Sequence, residues 1–177
     1  MDADIQKCLE EAKTLLIRSG FPVSDEEIMQ LAVNDFGLGD LRKEGFAFID
    51  ILRSPRLRIT VLILLPNQTL PQHVHPSYET ESGKEETLRV LYGQTKVYIA
   101  GAETADVVIP EGKGQYYTAK EEIALSASQQ YSVQPGTEHW FQGGPEGSVN
   151  ICFQNRVDET KNVFFDPDSE GCPIKAE

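Results

Sequence analysis

The sequence predicts a mainly β fold: one barrel or sandwich entered through two helices. Three observations predict it. Short strand-like segments recur between turns over most of the chain, no helical pattern interrupts them, and helical spacing is confined to the N-terminal part. At 177 residues the chain is long enough for a single domain with its own core and needs no covalent staples. We expect a helical extension over 1–43 packed on a barrel over 44–167, followed by a polar tail over 168–177.

The first helix is predicted over residues 3–17, where Ile5, Leu9, Ala12, Leu15 and Leu16 recur at helical spacing. A turn follows at Ser19, Gly20, Phe21 and Pro22. Ser24 with Glu27 forms a capping-box pattern, and Ile28, Leu31 and Ala32 extend that second helix to a stop near Gly37-Leu38-Gly39. After Glu44 the pattern changes. Phe46 to Leu52 and Leu57 to Leu65 are rich in β-branched and aromatic residues, with breaks at Ser54-Pro55 and Pro66-Asn67. Further strands are expected around 70–75, 86–92, 94–100, 107–109, 115–118, 121–126, 130–134, 138–142, 148–154 and 161–165. No repeat, low-complexity tract or linker divides the chain. The tail after Asp166 carries Pro, Gly and polar residues and is expected to drape or fray.

Charge and cysteine usage narrow the function classes. The chain holds 28 acidic against 16 basic residues, a formal net charge of -12. Such a surface repels phosphate backbones and anionic lipid, so neither nucleic acid nor a membrane is an expected partner. A neutral or cationic small molecule fits better. The longest apolar run, Val61 to Leu65, is too short to span a bilayer. Cys8, Cys152 and Cys172 are odd in number and widely spaced, which gives no disulfide framework. The acidic start of the chain lacks the pattern of a signal peptide. We expect a reduced cytoplasmic protein whose exposed thiols stay unpaired.

All three histidines of the chain fall where a metal site would want them. His73 and His75 are separated by one residue, and in a strand such neighbours share a face, so both rings would enter one interior. Glu86 opens the next strand and His139 lies on a later one. Three neutral imidazoles and one carboxylate suit Mn, Fe, Zn, Co or Ni, with coordination positions left for water or substrate.

His73-Val74-His75, Glu86 and then six residues to Gly93 resemble the first motif of the cupin barrels. Gln134-Pro135-Gly136-Thr137-Glu138-His139 resembles their second. The resemblance implies a jelly-roll-like cupin barrel. Two departures stand out: ten residues separate His75 from Glu86, where most cupins have three or four, and Gly143 replaces an Asn often found after the second motif. The long gap, ending in Lys84-x-Glu86, resembles the D-lyxose isomerase family of cupins, which are small metal-dependent sugar isomerases. Asn34-Asp35-Phe36-Gly37-Leu38-Gly39, Gly83-Lys84-Glu85-Glu86-Thr87, Arg89, Tyr92-Gly93, His139-Trp140-Phe141-Gln142 and Phe164-Phe165-Asp166-Pro167 also look like landmarks of that family, and together they span roughly 25–167.

The family resemblance implies an aldose–ketose isomerase acting on a small neutral sugar, interconverting D-lyxose with D-xylulose or D-mannose with D-fructose. It implies one divalent metal, Mn(2+) first, with Zn, Fe, Co or Ni as alternatives, and a homodimer. Lys84 and Glu86 are the expected catalytic residues, and Lys84, Arg89, Phe141 and Asp166 the expected substrate contacts. Lys84 would share the metal-facing side of an extended strand with Glu86 and could stabilise developing enolate charge. Phe141, two residues beyond His139, would line the pocket, while Trp140 would pack outside the barrel. One strand departs from the family pattern. Where such isomerases carry Glu-x-Ser, with the Glu a candidate base, this chain has Cys152-Phe153-Gln154; Asp158 and Glu159 are the nearby acids that could replace it. Cys152 therefore keeps open a non-catalytic or auxiliary sugar-binding cupin. The ligand set keeps open an Fe(II)-dependent dioxygenase.

Overall fold

The structure is a computed structural model that describes residues 3–79, 82–104 and 106–170. Cys172 and most of the expected tail lie outside the described residues. Helix α1 (Ala3–Ser19) buries Cys8, Ala12, Leu15 and Leu16, the stripe that a 3.6-residue period generates. Helix α2 (Asp25–Ile28) starts with the expected capping box between Ser24 and Glu27. It is a single turn, which corrects the longer helix expected there. None of its residues is buried, and residues downstream gain more by pairing as strand β1 (Ala32–Asn34) with β2 (Phe46–Arg53).

The barrel continues with β3 (Leu57–Leu64), β4 (Thr69–Val74), β5 (Glu86–Ile99), β6 (Glu121–Ser126), β7 (Gln130–Val133), β8 (His139–Asn155) and β9 (Val163–Phe164). All strand pairings are antiparallel. Two long strands, β5 and β8, pair with each other and bend across both layers. The C-terminal half of β8 and the N-terminal half of β5 join β1, β2, β3 and β7; their other halves join β4, β6 and β9. The bend explains two corrections. Residues 86–92 and 94–100 belong to one strand, as do 138–142 and 148–154, and bulges between Val90 and Tyr92 and between Gly93 and Thr95 turn the corner. Gly93 and Gly147 face this corner with φ of +72° and +77°, and a Cβ on Gly93 would collide with the carbonyl oxygen of Gly147.

Both faces of the sheet are covered. Val61, Ile63 and Leu65 point outward under α1 with Ile49 and Val149, while Leu62 and Leu64 point into the barrel with Leu88, Val97 and Phe141. This two-sided burial is why β3 reads as an unbroken apolar run. The segment around 101–119 covers the outer face of the other layer. It contains no strand at 107–109 or 115–118, only a 3₁₀ turn at Gly114–Tyr116. It is held by packing of Tyr117 and Ala119 on Tyr98 and Trp140, and by Lys113, whose Nζ lies 2.5 Å from Glu44 Oε2 and 2.8 Å from Asp166 Oδ2. Trp140 does face away from the barrel interior, yet it is fully buried beneath this strap and donates its indole N–H to the Ala119 carbonyl. Cys8 and Cys152 are unpaired but buried, which corrects the expectation of exposed thiols.

Candidate metal centre and sugar cavity

Strand β4 carries His73, and His75 follows just beyond its end on the same face. His139 opens β8 directly opposite His73 in register, and Glu86 opens β5. The four ligand atoms lie within 4.8 Å of one another. His73 Nε2 and His75 Nε2 are 3.2 Å apart, and His75 Nε2 is 3.6 Å from Glu86 Oε2.

The other nitrogen of each ring settles the proton positions. His73 Nδ1 donates to the Pro71 carbonyl at 2.9 Å, His139 Nδ1 to the Thr137 carbonyl at 2.8 Å, and His75 Nδ1 to the Asn162 side-chain oxygen at 2.7 Å. A carbonyl oxygen only accepts, so each Nδ1 carries a hydrogen, and in the neutral ring Nε2 presents its lone pair to the common centre. His139 Nε2 is buried and has no hydrogen-bond partner among the described residues. Converging buried lone pairs repel unless a cation sits among them, so this donor set fits a divalent metal.

Protonation states agree. Burial, then the neighbouring His139 and His75, push His73 well below the usual imidazole range, and burial lowers His139 to about 4. For Glu86, burial works to raise the carboxyl, but the charge of Lys84 and the neighbouring His75 together outweigh it and hold it well below the usual range. His73 and His139 are thus neutral and Glu86 ionised at neutral pH, the forms that ligate metal.

The cavity beside these ligands has an aromatic wall that includes Phe36, Phe46, Phe48, Phe141 and Phe164, and a polar stretch formed by Lys84, Arg58, Gln154 and Glu159. Lys84 is buried, with Nζ 3.5 Å from Glu86 Oε2. Phe141 lies on the cavity side of β8, its ring centroid 5.3 Å from that of His139. Arg58 donates from Nε to Asp50 at 2.6 Å and from Nη1 to Glu159 at 2.7 Å. Cys152 also lines the cavity; burial, and next the Glu86 charge, raise its thiol well above the ordinary range.

Arg89 and Asp166 are not brought to the cavity. Arg89 alternates to the opposite face of β5 from Glu86 and bonds Gln130 at 3.0 Å. Asp166 is buried in the Lys113 and Glu44 cluster instead. Asp158 is exposed, capping the 3₁₀ turn at Glu159–Lys161, while Glu159 reaches the cavity. Asn162, Arg58 and Gln154 were missed as site residues by sequence reasoning. Only Gln154 had a signal, its even spacing from Cys152 on one strand.

A bent antiparallel barrel with three imidazoles and a carboxylate converging inside it defines a cupin-type barrel carrying a metal-ligand set. No protein-family model matches the chain. Curated relatives do. The chain is 36% identical over 159 residues to the D-lyxose ketol-isomerase of Cohnella laeviribosi, covering 89% of this chain and 87% of the relative. It is 35% identical over 165 residues to the D-lyxose/D-mannose isomerase of Thermosediminibacter oceani, covering 92% and 91%. The chain belongs to the D-lyxose ketol-isomerase family. Its fold is also similar to that of the L-ribose isomerase of Cellulomonas parahominis, with a TM-score of 0.77 at 17% identity over 96% of this chain and 94% of that one. The L-ribose isomerase of Acinetobacter sp. DL28, solved with L-ribose, gives a TM-score of 0.74 at 15% identity over 91% and 90%.

Proposed function

We propose that this protein is a metal-dependent aldose–ketose isomerase acting on D-lyxose or D-mannose. The observation that carries the reading is the convergence of His73, His75, Glu86 and His139 beside Lys84 in a barrel of this family. A divalent cation, Mn(2+) before Zn, Fe, Co or Ni, would supply Lewis acidity to two adjacent sugar oxygens. Lys84 donates a hydrogen bond to the oxygen on which negative charge develops. Glu159 takes the proton from C2 and returns it to C1, while the C2 hydroxyl proton passes to the C1 oxygen; its place on the cavity wall supports this role, and the protonated thiol of Cys152 cannot fill it.

The reading includes a cytoplasmic homodimer. The unpaired Cys8 and Cys152 suit a reducing compartment. Leu52, Leu57 and Phe153, exposed by 41%, 49% and 43%, lie on the outer face of β2, β3 and β8 and supply an apolar patch for a second copy.

The test is an aldose panel with Mn(2+)-loaded protein under anaerobic conditions in D₂O, read by NMR. The expected product is a ketose carrying deuterium at C1. A ketose without deuterium would replace proton transfer by hydride transfer. Oxygen-dependent product would support an oxygenase, and sugar-dependent thermal stabilisation without turnover would support a binding protein.

A further inference from the structure

Gln154 is 7% exposed and lines the cavity, yet its side-chain carbonyl oxygen has no hydrogen-bond partner among the described residues. The register of β8 explains where it points. Gln154 pairs with Glu86 on β5 and with Arg58 on β3, so the three side chains form one row across the cavity wall. Both neighbours are committed elsewhere. Arg58 bonds Asp50 and Glu159, and Glu86 faces His75 and Lys84. A buried carbonyl oxygen without a partner is costly, and such a group persists where a ligand completes it.

We propose that Gln154 binds a sugar hydroxyl beyond the two carbons that exchange hydrogen, and that it selects the substrate by that hydroxyl. The nature of the ligand as a sugar rests on the isomerase reading. An amide offers both an acceptor and donors, so it can bridge adjacent hydroxyls, each of which also gives and takes a hydrogen bond. Gln154 lies one strand spacing, ~5 Å, from Glu86. With the C1–C2 end at the ligand cluster, that offset places the amide beside the distal oxygens. Sites built to hydrogen-bond a hydroxyl reject analogues that lack it, because the buried polar group is then left unpaired.

The test compares metal-loaded wild type with Gln154→Met, which keeps length and removes polarity. Substrates are the parent aldose and monodeoxy analogues, each lacking one hydroxyl beyond C2. In the variant, kcat/KM on the parent should fall on the order of 10- to 100-fold. Wild type should lose a similar factor on one analogue, which the variant fails to distinguish from the parent. The non-reacting alditol of the same aldose should lose affinity for the variant in parallel. Metal content should be unchanged, and the Tm of the sugar-free variant should be equal or higher, because an unpaired polar group has gone. Equal kcat/KM and alditol affinity in both proteins would overturn the proposal; so would a fall in sugar-free Tm, which would make the amide structural. Wild type without turnover that still binds the alditol through Gln154 overturns the isomerase reading and supports this one. Wild type that neither turns over aldoses nor binds the alditol overturns both.

Discussion

Asn162 touches no ligand point, yet its side-chain oxygen decides which nitrogen of His75 carries the proton. Removing that acceptor lets the ring turn or change tautomer. Asn162→Leu should therefore weaken metal binding about 10- to 100-fold, with Asn162→Asp restoring most of it, in a competition titration against a chelator. Nothing in the sequence pointed to this residue, because the contact spans 87 positions and arises from a 3₁₀ turn whose C-terminal end places Asn162 against His75. The ligands themselves were legible for the opposite reason: His73 and His75 share a strand face by simple alternation. Lys84 was readable by the same alternation from Glu86, although it precedes the strand. Lys84→Ala should keep its metal and lose at least about 100-fold in kcat, since the ammonium is assigned to charge on the substrate. Elemental analysis beside steady-state kinetics checks this; wild-type turnover would return Lys84 to a structural partner of Glu86. Glu159→Gln should lower kcat by about 10²–10⁴-fold and abolish deuterium incorporation, again with full metal content.

At the scale of elements, the sequence marks strands by composition but does not show which ones are continuous. Gly93 and Gly143 to Gly147 read as turns, yet they are corners inside β5 and β8, because both halves find antiparallel partners in the two layers. Residues 107–109 and 115–118 read as strands because they are apolar and aromatic; their burial comes from packing side chains on Tyr98 and Trp140, without a ladder. Only the partner surface could have told these cases apart. The strap they form is clamped by Lys113 between two carboxylates that are nearly inaccessible. Burial works to lower the lysine pKa, but its bonds to Asp166 and Glu44 outweigh that and raise it. The stabilisation is accordingly complete below the ordinary lysine value of ~10.4 and is lost as pH rises through the folded value. Lys113→Met leaves Glu44 and Asp166 buried without their cation and should cost roughly 3 kcal/mol in urea unfolding near neutral pH. The loss should shrink in the double variant Lys113→Met, Glu44→Gln. An unchanged midpoint in Lys113→Met would show that aromatic packing alone holds the strap.

For the whole molecule, the ligand cluster ties stability to metal. The barrel is closed by α1 on one face and the strap on the other, so no large shift is available to relieve the crowded Nε2 lone pairs of His73, His75 and His139. The unfolded chain has no such preformed site, and a cation that binds only the native state stabilises it by mass action. At free metal a hundredfold above Kd the gain is about 2.7 kcal/mol, which for a domain of this size raises Tm by roughly 5–11 °C. A chelator should remove the whole increment, and Mn(2+) should restore it in a concentration-dependent way. His139→Ala removes the ring that closes the site opposite His73, so its Tm should be insensitive to both chelator and metal. Scanning calorimetry of the two proteins, stripped and then titrated with Mn(2+), measures this directly. A metal-dependent shift of equal size in His139→Ala would remove that residue from the ligand set and leave its buried, unpaired nitrogen without a role.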